Sequence, residues 1–202
     1  MPLDQEIEVK FYVRDLQAVA ARLSSQGAQL IQSCTHEVNL RFDLPDGGLT
    51  QEHRVLRLRK GGEVRLTYKG PSQTEDGVCI QQEVEFTVSD FEAAKSLLEA
   101  LGYSVTVMYE KYRTIYNLDA AMVMLDEMPY GDFIEIEGED ATAIHAATEH
   151  LGLAWEARLP ESYLALFERL RGSLGLTFRD LSFDNFKNVR MTPKALGVLP
   201  AG

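Results

Sequence analysis

Apolar and polar side chains alternate in short windows along most of the chain, at 5–13, 36–43, 54–60, 63–69, 79–88, 105–117, 120–126 and 132–138. A period of two sends successive side chains to opposite faces, so each window predicts a β-strand with one apolar and one polar face. Turn-forming runs separate the windows: PDGG at 45–48, Lys60-Gly61-Gly62-Glu63 and Met128-Pro129-Tyr130-Gly131. The glycine pairs at 47–48 and 61–62 read as hairpin turns, because the strand–glycine–helix order of a phosphate loop does not surround them. Helical periodicity takes over in LQAVAARLSSQG after Asp15, DFEAAKSLLEALG after Ser89 and ATAIHAATEHLG after Asp140. Ser89 and Glu92 have capping-box spacing, and Gly27, Gly102 and Gly152 suit left-handed caps. A fourth helix is predicted over 161–171, after Pro160. Short strands at hairpin spacing with helices between them predict an α+β fold built on an antiparallel sheet or barrel.

Three of the strand–helix units resemble one another. EIEVKFYVRDLQAVAARLSSQGA matches EVEFTVSDFEAAKSLLEALGY, and FIEIEGEDATAIHAATEHLGL is a shorter version. Their unequal spacing excludes a solenoid and points to a duplicated unit inside one sheet. Residues 1–171 form the expected domain. Residues 172–202 are irregular but carry Phe178, Phe183 and Phe186, and read as a tail that packs on the body or on a partner. Its apolar side chains leave room for a homodimer.

The chain of 202 residues carries a net charge of −11, which excludes non-specific binding to duplex nucleic acid or an anionic membrane, since both require a basic footprint. Cys34 and Cys79 lie in no metal or CxxC pattern and read as free, buried thiols that fit a reducing cytoplasm. No apolar run approaches the ~20 residues that span a bilayer. The acidic start MPLDQEIEV lacks the features of a leader.

The polar faces carry the chemistry. Glu6, Glu8 and Lys10 share one strand face, as do Arg57 with Arg59, Arg65 with Lys69, Glu83 with Glu85, Lys111 with Arg113, and Glu135 with Glu137; Asp126 closes MVMLD. Taken singly, each is an ordinary half-buried strand with its charges in water. Segregation by sign changes the picture, because like charges two residues apart repel and a wet face has no need of them. Acid pairs and basic pairs around one enclosure suit cations and a polyanion held between them. Mg²⁺ or Mn²⁺ takes carboxylate and phosphate oxygens, and Arg and Lys take phosphate oxygens.

EIEVKF resembles the N-terminal ExExK motif of the CYTH superfamily, the triphosphate tunnel metalloenzymes, which includes class IV adenylyl cyclases, thiamine triphosphatases and inorganic triphosphatases. LRLRK at 56–60, LTYKGP at 66–71, EVEF at 83–86, EKYRTIY at 110–116, LDEMPYGDFIEIEG at 125–138 and SYLAL at 162–166 follow in family order. The resemblance covers residues 5–170 and implies an eight-stranded antiparallel closed barrel, flanked by helices, holding a triphosphate with Mg²⁺ or Mn²⁺. It implies Glu6, Glu8, Glu135 and Glu137 as metal ligands, with Glu83 and Glu85 contributing to the same acidic wall and positioning water, and Glu6, Glu8, Lys10, Glu85 and Asp126 as the catalytic set. Lys10, Arg57, Arg59, Lys69, Lys111 and Arg113 become the phosphate clamp, and Asp126 orients a base or a metal-bound water. One position departs: Glu161 stands where cyclase-like members commonly carry Lys or Arg, so Arg158 or Arg169 would have to substitute.

The expected activity is a metal-dependent triphosphatase, because hydrolysis needs only the tunnel. A class IV cyclase making cyclic AMP from ATP, or a non-catalytic polyphosphate-binding module, are the alternatives. Tyr163 and Trp155 read as packing residues. His36, His53, His145 and His150 read as surface or packing residues, since none has the i, i+4 spacing of helical metal ligands.

Overall fold

Residues 4–191 and 193–202 are described by a computed structural model of the chain. The strands are β1 (Asp4–Val13), β2 (Gln29–Asp43), β3 (Val55–Lys60), β4 (Val64–Lys69), β5 (Gln73–Glu75), β6 (Val78–Thr87), β7 (Ser104–Leu118), β8 (Ala121–Met128), β9 (Gly131–Gly138) and β10 (Arg158–Leu159). The helices are α1 (Leu16–Ser25), α2 (Gly48–Gln51), α3 (Phe91–Ala100), α4 (Ala141–His150), α5 (Tyr163–Leu174), α6 (Phe183–Phe186) and α7 (Pro193–Leu196), with a single 3-10 turn at Trp155–Ala157.

Neighbouring strands pair in the order β1–β9–β8–β7–β2–β3–β4–β6, and β6 returns to β1 by pairing Cys79–Glu83 with Asp4–Glu8. Every pairing in this ring is antiparallel, so the sheet closes into an eight-stranded barrel. Closure leaves no free edge within the ring, and it turns one face of every strand inward. β5 and β10 are short additions outside it, on β6 and β1.

Two apolar cores lie on the outward faces, and a third fills one end of the barrel, where Tyr12 and Phe133 share the inward face of Lys10 and Glu135. Val9, Phe11 and Val13 of β1, with Ile134 and Ile136 of β9, meet Val19 and Leu23 of α1 and Ile144 and Ala147 of α4. Leu98 of α3 covers Phe42 and Leu58. A third cluster joins Tyr12, Met128, Tyr130 and Phe133 to Tyr163, Leu166, Phe167 and Leu170 of α5 and to Leu181, Phe186 and Leu196 of the tail. No helix among the described residues is long and apolar enough to cross a membrane.

The structure corrects four local expectations. β2 begins at Gln29 rather than 36; QLIQSCT lacks clean alternation because its pairing with β7 shifts register at Leu30/Gln32 and again at Gln32/Thr35. Gly47 is not in a tight hairpin but in the left-handed region, φ 71°, starting α2. The Asp43 carboxylate fixes that connection by accepting from Leu49 N at 2.9 Å and Thr50 N at 3.0 Å. The cap of α3 is Asp90, which accepts from Ala93 N, and not Ser89. Both thiols are free, but Cys34 is exposed and Cys79 half-buried.

Candidate active site

The inward residues surround a cavity of about 520 Å³. Adjacent strands place their charged residues in rows: Glu8 beside Glu137, Lys10 beside Glu135, Arg57 beside Thr67, and Lys69 beside Glu83. Like charges directly opposite each other across a ladder repel, so the Glu8–Glu137 row costs stability unless a cation offsets it.

On the acidic arc, Glu6 accepts from Gln81 Nε2 at 2.7 Å and from the Lys69 ammonium, which also stands 3.3 Å from Glu83. Burial raises the Glu6 pKa, but Lys69 outweighs it and holds the group below its ordinary value. The neighbouring acids shift the other way. Burial pushes Glu83 up to about 7 despite Lys69, and Glu6 adds to the rise. Burial raises Glu8 as well, Lys10 opposing and Glu135 reinforcing, and Glu137 is raised by burial together with Glu6 and Glu8.

The basic arc is organised by two carboxylates. Glu85 takes the Thr67 hydroxyl at 2.7 Å, Arg65 at 2.7 Å, Arg57 at 3.4 Å and Arg59 at 3.5 Å. Burial would raise this carboxyl, yet Thr67, Arg59 and Arg65 bring it down to about 2. Asp126, fully buried behind the wall, binds Lys111 Nζ at 3.0 Å, Arg113 Nε at 2.6 Å and the Tyr163 hydroxyl at 2.8 Å. Glu135 is engaged by Lys10 at 2.9 Å and by Arg113. Burial raises its pKa, but Lys10 and Arg113 carry it well below the usual range. The Lys10 ammonium also lies 4.6 Å from the centre of the Tyr163 ring, a cation–π contact that holds it against α5.

The cavity is thus lined by Glu6, Glu8, Lys10, Arg57, Arg59, Lys69, Glu83, Glu85, Lys111, Arg113, Glu135 and Glu137, which the sequence singles out, with Asp126 immediately behind. Arg158 and Arg169 do not substitute for a base at position 161: they line a separate, shallow cavity with Glu161, which pairs with Arg169 at 3.1 Å. Glu37, Asn39, Arg41 and Tyr109 also face inward and escape the sequence reading. Their signal is present, since Glu37, Asn39 and Arg41 alternate with Val38, Leu40 and Phe42. Mixed sign hides them from a search for like-charged pairs. Arg57 Nη1 donates to the Tyr109 hydroxyl at 3.5 Å; burial raises that phenol's pKa, but Arg57 and Lys111 outweigh it and hold it below the ordinary value. The histidines lie outside the cavity, His36 against Tyr112 and His145 against Trp155 with the rings tilted by 32°.

Fold and site together define a class: an antiparallel tunnel barrel whose inner wall carries interleaved acids and bases, carboxylates prevailing on one arc around Lys69 and guanidinium and ammonium groups prevailing on the other around Glu85 and Asp126. The family follows from comparison. The CYTH domain model matches residues 4–162, and the chain belongs to the CYTH family. It is 27% identical over 135 residues to the adenylate cyclase CyaB of Aeromonas hydrophila, covering 65% of this chain and 67% of that one. Among solved structures, a Pyrococcus horikoshii protein is 29% identical with a TM-score of 0.66, over 79% of this chain and 98% of that one. A Hippeastrum protein, HpAC1, described as having a dominant triphosphatase activity, shares the fold at 20% identity with a TM-score of 0.61, over 81% of this chain and 95% of that one.

Proposed function

We propose that the chain is a divalent-metal-dependent phosphohydrolase whose substrate is a triphosphate held in the tunnel: inorganic tripolyphosphate, thiamine triphosphate or a nucleoside triphosphate. The observation that carries this is the opposition of the two arcs within one cavity. Ligand sites for organic molecules are mostly apolar and aromatic. Here Val55, Ile115, Met122, Met124 and Leu164 are a minority among charged neighbours. The two tunnel phenols are already occupied, Tyr109 by Arg57 and Tyr163 by Asp126. Such a wall suits a chain of phosphates better than a base and sugar.

The donor set fits an oxygen-seeking divalent cation. Glu6, Glu8, Glu83 and Glu137 offer only hard oxygen ligands, and three of the four are held above their ordinary pKa by burial and by one another. Among the described residues no three acids converge into a closed metal-binding group, and the Lys69 ammonium engages both Glu6 and Glu83. These four carboxylates would hold Mg²⁺ or Mn²⁺, which when bound offsets their charge and that of the phosphate oxygens. Arg57, Arg59 and Arg65, fixed by Glu85, present guanidinium forks to one stretch of the phosphate chain. Lys111 and Arg113, fixed by Asp126, present to another, and Glu135 sets Lys10 and Arg113 relative to each other. Positioning and charge neutralisation of this kind are most of what phosphoryl transfer requires of a protein.

Cyclisation of ATP is the alternative, favoured by the name of the Aeromonas relative. Incubating the purified chain with Mg²⁺ or Mn²⁺ and tripolyphosphate, thiamine triphosphate or ATP separates the two. Phosphate release is expected; cyclic AMP as the main product from ATP would overturn the hydrolase assignment. Tripolyphosphate binding without turnover under either ion would leave only a binding module. Arg57→Ala should weaken tripolyphosphate binding by ~10–100-fold, the worth of one charged hydrogen bond, as read by calorimetry.

A further inference from the structure

We propose that Glu37, seated on the basic arc of β2, is the catalytic residue that receives the attacking water, with Asn39 as its positioning partner. This rests on the triphosphatase function proposed above. Glu37 is 4% exposed and lines the cavity; Asn39 is fully buried on the same inward face. β2 pairs Asn39 with Arg59 on one side and Tyr109 on the other, both of them tunnel residues.

Three atoms of this pair have no hydrogen-bond partner: Glu37 Oε2 and both ends of the Asn39 amide. Buried polar groups are rarely left so, because an unmade hydrogen bond leaves the full cost of desolvating the group. A water needs two to four polar partners in a polar niche, and Glu37 and Asn39 supply such a niche.

A counter-ion role accounts for Oε1 of Glu37 but not for Oε2. Oε1 lies 3.5 Å from Arg59, as far away as Glu85, so the two acids share that guanidinium. Oε2 lies 3.9 Å from Lys111, beyond a good ionic hydrogen bond, and Lys111 already has Asp126 at 3.0 Å. An additional carboxylate beside a phosphate chain is repelled by it, unless it faces a hydrogen-bond donor. Water is the donor that hydrolysis requires at this place. Glu85, the other acid on this arc, cannot do the same work, since Thr67, Arg57, Arg59 and Arg65 occupy its oxygens.

In the step this implies, the water oxygen forms a bond to a phosphorus of the chain while its proton passes to Glu37 Oε2. The scissile P–O bond breaks, and its electron pair leaves with the departing phosphate oxygen, which faces the tunnel bases. Asn39 fixes the direction of the water's lone pair and takes no proton.

The test is steady-state hydrolysis of tripolyphosphate with Mg²⁺ or Mn²⁺ by the full chain and by Glu37→Gln. Gln keeps the size of the side chain and removes its basicity. The expected result is a kcat at least ~100-fold lower, as for loss of a general base, with KM within about threefold and an unchanged melting temperature. Should Glu37→Gln fold poorly, Glu37→Asp, which keeps the charge and withdraws it by one methylene, is read by the same kcat-against-KM split. A kcat within threefold of wild type, or kcat, KM and melting temperature moving together, overturns the role for Glu37 alone. A wild-type chain that turns over no triphosphate overturns both this role and the hydrolase function.

Discussion

Asp126 has no exposure to solvent, and two cations and a phenol converge on its two oxygens. Burial raises its pKa, but Arg113 and Lys111 outweigh burial and keep the group ionised. Removing one partner of a buried ion pair strands the others, so Asp126→Asn should lower stability by on the order of 3 kcal/mol, measured by urea unfolding. Glu83 behaves in the opposite sense. Its folded pKa, about 7, lies above the ordinary 4.5, so between those values the folded state binds the extra proton. Stability therefore falls as pH rises from about 4.5 to 7, and Glu8 and Glu137 contribute in the same direction. Glu85, held at about 2, is stabilising above 4.5 and loses that contribution as pH falls towards 2. The two windows do not overlap. Glu83→Gln should thus raise stability at pH 8 by on the order of 1–3 kcal/mol and flatten the decline between pH 5 and 8. Mg²⁺ should stabilise the wild type at pH 8 and this variant much less, and thermal melts with and without the ion test both statements. At this scale the sequence is legible where signs repeat, as in Glu6-Ile7-Glu8 or Arg57-Leu58-Arg59. It is opaque at Tyr109, since a lone phenol on a strand marks neither face until the register is known, and Asn39 is masked by the opposite signs of Glu37 and Arg41 on either side of it.

Among the elements, the repeated strand–helix unit is the part whose local chemistry and fold agree most closely. Asp15, Asp90 and Asp140 each accept at 2.9 Å from the backbone N–H three residues on, at Ala18, Ala93 and Ala143. Each helix then runs ten residues before a glycine in the left-handed region, Gly27, Gly102 or Gly152. Asp140→Ala should cost ~1 kcal/mol, the usual worth of an N-cap, and α4 should begin to exchange its amide hydrogens before α1 does. The units were visible in the sequence because caps and period both lie within a dozen residues. The first half of β2 was not, because Gln29–Thr35 is held as a strand by β7, whose pairing residues lie far along the chain, from Arg113 to Asn117. Likewise α2 exists because Asp43, outside the PDGG run, caps its amides.

The tail matters at the scale of the whole molecule. β8 pairs with β7 only from Tyr112 onward, which leaves the Met108–Glu110 edge of β7 open on that side. Leu181 closes it, accepting from Glu110 N at 2.9 Å and donating to Met108 O at 2.9 Å. Twenty residues on, Ala201 N donates to Tyr12 O at 2.8 Å, where β1 runs beyond its partner β10. The tail thus supplies hydrogen bonds that the barrel cannot make for itself at one end. On either side of Leu181, Phe178 and Phe186 pack on Phe167 of α5, whose first residue, Tyr163, holds Asp126 and underlies Lys10. The sequence leads one to expect a tail that packs on the body or on a partner, but not where it packs, since residues 172–202 show no period and their partners lie on β1, β7 and α5. If the tail is part of the wall, Leu181→Ala should destabilise the chain by ~2–4 kcal/mol, as for a buried leucine truncated in a core. Arg179→Ala, exposed on the same segment, should be within ~0.5 kcal/mol of wild type. Truncation after Arg171 should go further, baring Leu166, Phe167 and Leu170 and loosening Tyr163, so that tripolyphosphate affinity falls along with the melting temperature. Calorimetry on the truncated chain decides the matter: full affinity in a chain lacking residues 172–202 would mean that α5 alone holds Tyr163 in place.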